Sequence, residues 1–409
     1  MNVKLRSQTG RDYFWNTAAS VMTSASTVLL LLVVTQFLGA YVGGVFSFAF
    51  ALAQQFQTVG TYDMRSYQAT DVQDRFTFGT YHASRIVTTG LMMAGVSGYA
   101  LVTNGWTSQS LLIILVACLR FFDAFEDVFH GEFQRLGRLD IAGRAFFFRV
   151  LTTTVAFTAA IAVSRSLMIS CIITIAVSTA ALIGLNVPMG RRMFRLRPTF
   201  NVVSLRSLLL ACLPLACGAF LAMYLVNGPK FGIERNLSPE YQTYYAVLFM
   251  PALVINLLST FIFKPLLTTL AKAWVIGDRR AFTRLIKNGL IGVGAATVVT
   301  FIAAYLFGLP ILEALYGVDL SGYRPELLAL VLGGAFNAVG YILYYAMVTM
   351  RHQRLVMVGY AAAAIVVTVL CTMLIPSMAL MGACIAYDIA MATLACFFGT
   401  CCLLTARSR

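Results

Sequence analysis

The chain has 409 residues, 59% of them hydrophobic and only 11% charged, with a formal net charge of +14. Soluble domains carry roughly 25% charged residues, so a chain this poor in charge cannot cover a water-facing surface. Composition excludes a soluble globular protein and predicts an all-α polytopic membrane protein, because apolar runs of about 20 residues, enough for one bilayer crossing, recur throughout.

Twelve spans are expected, at 13–38, 42–61, 82–103, 108–129, 144–163, 166–189, 205–227, 241–263, 288–308, 325–349, 353–375 and 378–404. The first run is too long for the apolar core of a signal peptide and is expected to be a retained span. It carries Asn16, Ser20, Thr23 and Thr27 at spacings of four, three and four, which is one polar stripe on a helix. The second span places Ser47, Gln54 and Thr58 on a similar stripe.

The fourth span ends in Leu119–Glu132, LRFFDAFEDVFHGE. At 100° per residue, Arg120, Asp123, Glu126, Asp127 and His130 fall within about 120° of one another. The phenylalanines Phe121, Phe122, Phe125 and Phe129 fall on the opposite side. The expectation is a phenylalanine face toward lipid and a charged face toward protein or water. Arg120 lies about 15 Å into the span and Asp123, one turn on, can neutralise it. This face reads either as a structural ion pair or as the wall of a solvated cavity. A metal site would need Glu-x-x-His motifs on two helices; Asp127-Val-Phe-His130 is a single near-match, so no metal is expected.

Farther on, Asn256 and Ser259 lie in the eighth span, and Asn337, Tyr341, Tyr344 and Tyr345 in the tenth. Such groups often only tie helices together. As a set, amides, hydroxyls and aromatic rings suit sugar binding. Asp388 lies about ten residues into the last span with no basic residue within a helical turn. An intramembrane carboxylate is costly when charged, so Asp388 reads either as a neutral, hydrogen-bonded structural acid or as a proton carrier; it and Asp123 are the coupling candidates. The nine cysteines fall within or at the ends of spans, with no CxxC pair, and read as small packing residues.

Orientation follows from the loops. With the N-terminus in the cytoplasm, the inner segments hold 25 of the 30 Lys and Arg, the outer loops hold Arg165, Lys230, Arg235 and Arg324, and Arg120 alone is assigned to a span interior. Both termini are therefore expected to be cytoplasmic. The basic surplus is spread over separate segments, so it signals topology and not nucleic acid. The loops containing RRMFRLRP and GDRRAFTRLIK are the most basic, and read as contacts to anionic lipid or as an entry rim for an anionic headgroup. The first divides the chain into residues 1–200 and 201–409, six spans each. No phosphate-binding lysine motif for ATP is present, and no cofactor is expected. The outer loops, about 13 and 16 residues at most, are too short for a catalytic domain.

Several stretches together resemble the oligosaccharide flippases of the bacterial polysaccharide-transporter family, within the multidrug/oligosaccharidyl-lipid/polysaccharide exporter superfamily. They are FWNTAASVMTSASTVLLLLVVTQFLGAYVGGVFSFAFAL, Leu213-Pro214-Leu215, the run from Asn227-Gly228-Pro229-Lys230 through Tyr244-Tyr245, and FKPLLTTLAKAWVIGDRRAFTRLI. The chain departs in having Gln36 where the family often has Arg, and in having twelve spans where lipid II flippases have fourteen. The resemblance implies two six-helix lobes around a central cavity that opens alternately to each side of a bacterial cytoplasmic membrane. It implies a polyprenyl-pyrophosphate-linked oligosaccharide as substrate, with glycosyltransferases and a polymerase of the same pathway as candidate partners. Spans 1, 2, 7 and 8 would line the cavity, where Asn16, Ser20, Thr23, Thr27, Gln54 and Asn256 fall. Arg120, Lys230 and Lys264 are the candidate phosphate contacts. The alternatives are a cation-coupled multidrug exporter of the same superfamily and a polytopic enzyme of polysaccharide assembly.

Overall fold

The computed structural model describes residues 2–71, 75–263 and 266–407. Among these the chain is helical throughout, with no strand. Nine helices are long and apolar enough to cross a membrane. Their outer faces stay apolar: Val298, Val299, Ile302 and Leu306 are all exposed. In water such a surface would aggregate; against lipid it needs no covering. The protein is a multi-pass membrane protein.

The chain divides into two compact units, Met1–Phe220 and Leu221–Arg409. The first holds α1 (Asn2–Thr61), α2 (Met64–Thr70), α3 (Phe78–Asn104), α4 (Ser108–Arg135), α5 (Leu139–Ser164), α6 (Leu167–Ala181), a π turn (Leu182–Asn186), α7 (Val187–Met193) and the first half of α8 (Val202–Asn236). Here α1 packs against α5, α4 and α3. The second holds the rest of α8, then α9 (Pro239–Leu248), α10 (Met250–Phe263), α11 (Leu267–Ile276), α12 (Arg279–Ala303), a second π turn (Ala304–Gly308), α13 (Leu309–Tyr316), α14 (Arg324–Thr349) and α15 (Gln353–Arg407). Its centre is α14, packed against α15, α10 and α12.

Side-chain oxygens start several helices. Thr77 accepts from the Thr80 N–H, Thr107 from the Ser110 N–H and Asp278 from the Ala281 N–H, each satisfying a donor the helix leaves free. Two long helices are each broken at one residue. Gly39 interrupts α1 at φ 86°, ψ 173°, a region open in practice only to glycine. Ala379 interrupts α15 at φ 48°, three residues after Pro376.

Both longer outer loops expected from sequence are largely helical. α8 runs on past Pro214 and Pro229 to Asn236, leaving only Leu237 and Ser238 before α9, and α13 fills much of 309–324. Neighbouring helices hold these segments and let the helix continue past its prolines.

The phenylalanine face of α4 is also not where sequence placed it. Phe122 and Phe129 are buried, and Phe129 sits among Phe78, Phe125, His82 and Phe194. This aromatic core lies at the end of the bundle that also holds Met64, Tyr81, Phe133 and, from α8, Leu208 and Cys212. Phe194 follows α7, so the arginine-rich connection is anchored by this phenylalanine wedge, by Leu196 O against His82 Nδ1 (2.8 Å), and by the Thr199 N–H on Gly79 O (2.9 Å).

Asp71, beyond α2, fixes the entry to α3. Its carboxylate accepts from the backbone N–H of Arg75 (3.0 Å) and Phe76 (3.1 Å) and from the Tyr81 hydroxyl (2.9 Å). Burial by itself pushes the carboxyl up, but these three donors, with Arg135 nearby, outweigh it and hold Asp71 below the usual carboxylate range.

Candidate functional site

The charged face of α4 is neutralised by arginines from neighbouring helices. Arg120 Nη1 lies 2.5 Å from Asp123 Oδ2. Arg149 on α5 donates Nη2 to Asp123 and Nε to Glu126 Oε1 (2.7 Å). Asn186, the last residue of the π turn, donates Nδ2 to Glu126 Oε2 (3.2 Å), and His130 Nε2 lies 4.0 Å from the same oxygen. Next to Glu126 along the helix, Asp127 meets Arg85 Nη2 (2.9 Å) and Arg65 Nη1 (3.5 Å). Arg85 Nη1 also donates to Gly60 O (2.7 Å), as does the Thr88 hydroxyl (2.7 Å), so both cap one carbonyl at the end of α1. Glu132 accepts from Gln68 Nε2 (3.0 Å) and pairs with Arg135.

Two residues carrying this network were assigned by sequence to the cytoplasmic ends. Arg85 and Arg149 are 0% and 2% exposed, and lie seven and ten residues inside their helices. Arg120 is therefore not the one arginine in a span interior. The signal was present: both residues sit inside segments already read as spans. A buried pair that keeps both partners offsets its desolvation by mutual attraction and hydrogen bonds; losing one partner leaves an uncompensated charge.

Beside the network lies a cavity of about 50 Å³ within the first unit, lined in part by Thr23, Ser26, Thr27, Arg120, Asp123 and Thr154. That is room for a few waters at most. Thr23, Thr27 and Thr154 each donate to the carbonyl four residues back (2.8, 3.1 and 2.7 Å). Their proton is spent on the backbone, so they meet the cavity as acceptors. Arg120 supplies donors, and its guanidinium lies 4.1 Å from the centre of the Phe50 ring. The α1 stripe divides here: Thr23 and Thr27 line the cavity, whereas Asn16 and Ser20 are exposed and outside it. Gln54 is half-buried and outside it too. Its neighbour Gln55, beside the same polar stripe, donates to Phe220 O (3.0 Å).

The second unit holds a larger cavity, about 250 Å³, lined by Val226, Phe249, Asn256, Ser259, Asn337 and Tyr341 among others. Asn337 Nδ2 donates to Asn256 Oδ1 (3.2 Å), and Asn256 Nδ2 to Ala252 O (3.1 Å). The hydroxyls of Tyr341 and Tyr345 are 3.1 Å apart. So α10 and α14 bring together Asn256 and Ser259 of one span with Asn337 and Tyr341 of another, all four singled out by sequence. Among the described residues no carboxylate lines this cavity. Lys230 is on α8, one turn beyond Val226, and among the described residues it meets no carboxylate; its carbonyl accepts from Gln242 Nε2 (2.6 Å). Lys264 lies outside the described residues. Asp388, on α15, packs against α14 at Gly333.

Among the described residues no three His, Cys, Asp or Glu side chains gather as a metal set. All nine cysteines are free thiols.

No protein-family model matches the chain. No curated protein matches it. Solved structures do. The lipid II flippase MurJ in an inward closed conformation superposes with a TM-score of 0.71 at 12% identity, covering 94% of this chain and 87% of that one. The eukaryotic MATE transporter AtDTX14 gives 0.65 at 14% identity, covering 99% of each chain. A MOP superfamily transporter from Pyrococcus furiosus, whose reverse-polarity binding pocket suggests a different function, gives 0.60 at 12% identity, covering 98% of this chain and 96% of that one. The chain thus has the fold of the MOP superfamily transporters, all-helical proteins that move molecules across membranes.

Proposed function

We propose that the protein is a flippase that moves a polyprenyl-pyrophosphate-linked oligosaccharide, the repeat unit of a surface polysaccharide, from the inner to the outer leaflet of a bacterial cytoplasmic membrane by alternating access. In this reading the chain makes twelve crossings with both termini cytoplasmic, and residues 1–200 and 201–409 act as two lobes. The fold supports a transporter. The observation that carries the sugar cargo is the Asn256–Asn337–Tyr341 cavity. Amides and phenols offer both donors and acceptors, as sugar hydroxyls do, and aromatic faces cover the apolar face of a sugar ring.

The same observation weighs against the multidrug reading. A carboxylate on the cavity wall would be the natural counter-charge for a hydrophobic cation. The second-unit cavity is lined by no carboxylate, and Asp123 in the first-unit cavity is the counter-ion of two arginines. Arg120, Lys230 and Lys264 are the proposed pyrophosphate contacts, since a guanidinium or ammonium matches phosphate oxygens. Asn16, Ser20, Thr23, Thr27 and Gln54 supply polar groups along α1 for the glycan's path. No covalent chemistry is required of the protein.

The test is transport of a fluorescent lipid-linked oligosaccharide in reconstituted vesicles, read by the accessibility of its sugar to an impermeant lectin or glycosidase. Protein-dependent flipping that falls when Asn337 becomes Leu supports the proposal. Vesicles that instead extrude hydrophobic cations, and flip no glycan, favour the multidrug exporter.

A further inference from the structure

Asp388 sits among groups that give it no positive partner. It lies on α15 against α14 at Gly333, where a Cβ would collide with its Oδ1 and with the Tyr387 ring. Only glycine leaves room for the carboxylate to approach the backbone this closely. Oδ1 is buried, and no protein group donates to it. Tyr245, on α9, is 0% exposed, and its hydroxyl also has no partner. Asp388 and Tyr387 are within electrostatic range of that hydroxyl. The other titratable groups around it are Cys371 and Cys384 on α15 and Glu326 on α14, whose Oε2 is also buried and unpartnered. Among the described residues no Lys, Arg or His pairs with Asp388.

This is the reverse of the first unit, where every carboxylate of the α4 network meets an arginine. A lone carboxylate in a membrane interior is neutral only with a proton or a cation on it. A cation would need several oxygens at fixed distance, whereas a proton needs one acceptor. Position links the group to transport. Gly333, Asn337 and Tyr341 follow one another at intervals of four on α14, so the carboxylate lies one turn from the polar cavity on the same helix face. Phe249 lines that cavity and packs edge-on against Tyr387 at 5.2 Å.

We infer that Asp388 is a proton-binding site of the second unit, framed by Gly333, Tyr245 and Tyr387, whose loading and unloading is coupled to the neighbouring Asn256–Asn337–Tyr341 cavity. The reaction is one O–H bond formed on the carboxylate as a proton arrives from water and broken as it leaves. The inference rests on the reading of the chain as a transporter and is tested without any glycan, so the two fail separately.

The full-length protein is reconstituted and given a pH step on a solid-supported membrane, with no substrate. The wild type is expected to give a transient current, Asp388→Glu to keep it, and Asp388→Asn to fall to the empty-liposome baseline. Gly333→Ala, which changes no charge, is expected to displace the carboxylate and shift the pH at which the current is half-maximal. A second measurement needs no variant: dicyclohexylcarbodiimide, which attacks protonated carboxyls in apolar surroundings, should label the peptide containing Asp388, and labelling should fall as pH rises. An Asp388→Asn current equal to wild type, a current driven by sodium steps and not by pH steps, or labelling that passes Asp388 by would each overturn the proposal.

Discussion

Arg149 on α5 holds both Asp123 and Glu126 of α4. One guanidinium thereby serves two carboxylates on successive turns, and Asn186 takes the oxygen of Glu126 that Arg149 leaves. The first unit is fastened at this point by charge inside a structure that is otherwise apolar.

Removing that guanidinium leaves two carboxylates without their shared partner. Arg149→Met is expected to destabilise the detergent-solubilised protein by about 3–5 kcal/mol, read as a lower unfolding midpoint. Adding Glu126→Gln should recover part of the loss, because Asp123 keeps Arg120 and only Glu126 is left stranded. A double variant no more stable than Arg149→Met would show that packing, not charge, dominates there.

Asp71 sets a pH dependence. Its folded-state value is lowered from 3.8 by the Arg75, Phe76 and Tyr81 donors against the opposing effect of burial. A lowered value means that the stabilisation is fully present above the unfolded-state range and is lost as pH falls from about 4 through the folded-state value. Asp71→Asn should remove roughly 1 kcal/mol at neutral pH and flatten the acid side of a melting-temperature profile.

The polar cavity of the second unit predicts a graded loss of transport. Asn256→Leu, Asn337→Leu and Tyr341→Phe each remove hydrogen-bonding capacity while keeping comparable bulk. Initial flipping rates should fall by roughly three- to tenfold per residue, with the folded fraction unchanged on size exclusion. Unaltered rates in all three would move the sugar path elsewhere.

Gly39 predicts a conformational penalty. At φ 86° and ψ 173° a side chain is strained by about 1–3 kcal/mol, although open space surrounds the position. Gly39→Ala should therefore lower thermal stability with no steric clash to relieve, and a second-site cavity variant should not rescue it.

If the cargo is a pyrophosphate-linked glycan, its outward movement carries two negative charges. An inside-negative potential should favour it by about 4.6 kcal/mol per 100 mV, from roughly 2.3 per charge. Imposing the potential with a potassium gradient and valinomycin should raise outward transport; rates indifferent to the potential would count against net anion movement.

Much of this was legible in the chain. Apolar run length carried the helices, and the 100° wheel placed Arg120, Asp123, Glu126 and Asp127 on one face of α4. It could not say which helix supplied the counter-charges, because Arg85 and Arg149 are remote in sequence and resemble loop charge when counted near span ends. Nor could it tell that Phe129 faces Phe78 and Phe194 and not lipid, since lipid and a protein core are equally apolar partners. Asn256, Asn337 and Tyr341 were each visible as polar exceptions; only the packing of α10 on α14 made them neighbours. The stripe from Asn16 to Thr27 was real as periodicity, yet only Thr23 and Thr27 reach a cavity, while Asn16 and Ser20 are exposed.

The single-residue breaks at Gly39 and Ala379 have a mechanical consequence. Each joins two long helical rods with no slack between them. A rod that tilts or turns on one side of such a joint must drag its mate, since no spare backbone can absorb the displacement. The first rod pair of one unit and the last of the other are therefore levers with a fixed elbow, and lengthening either elbow by a few flexible residues should uncouple their strokes while leaving both rods folded.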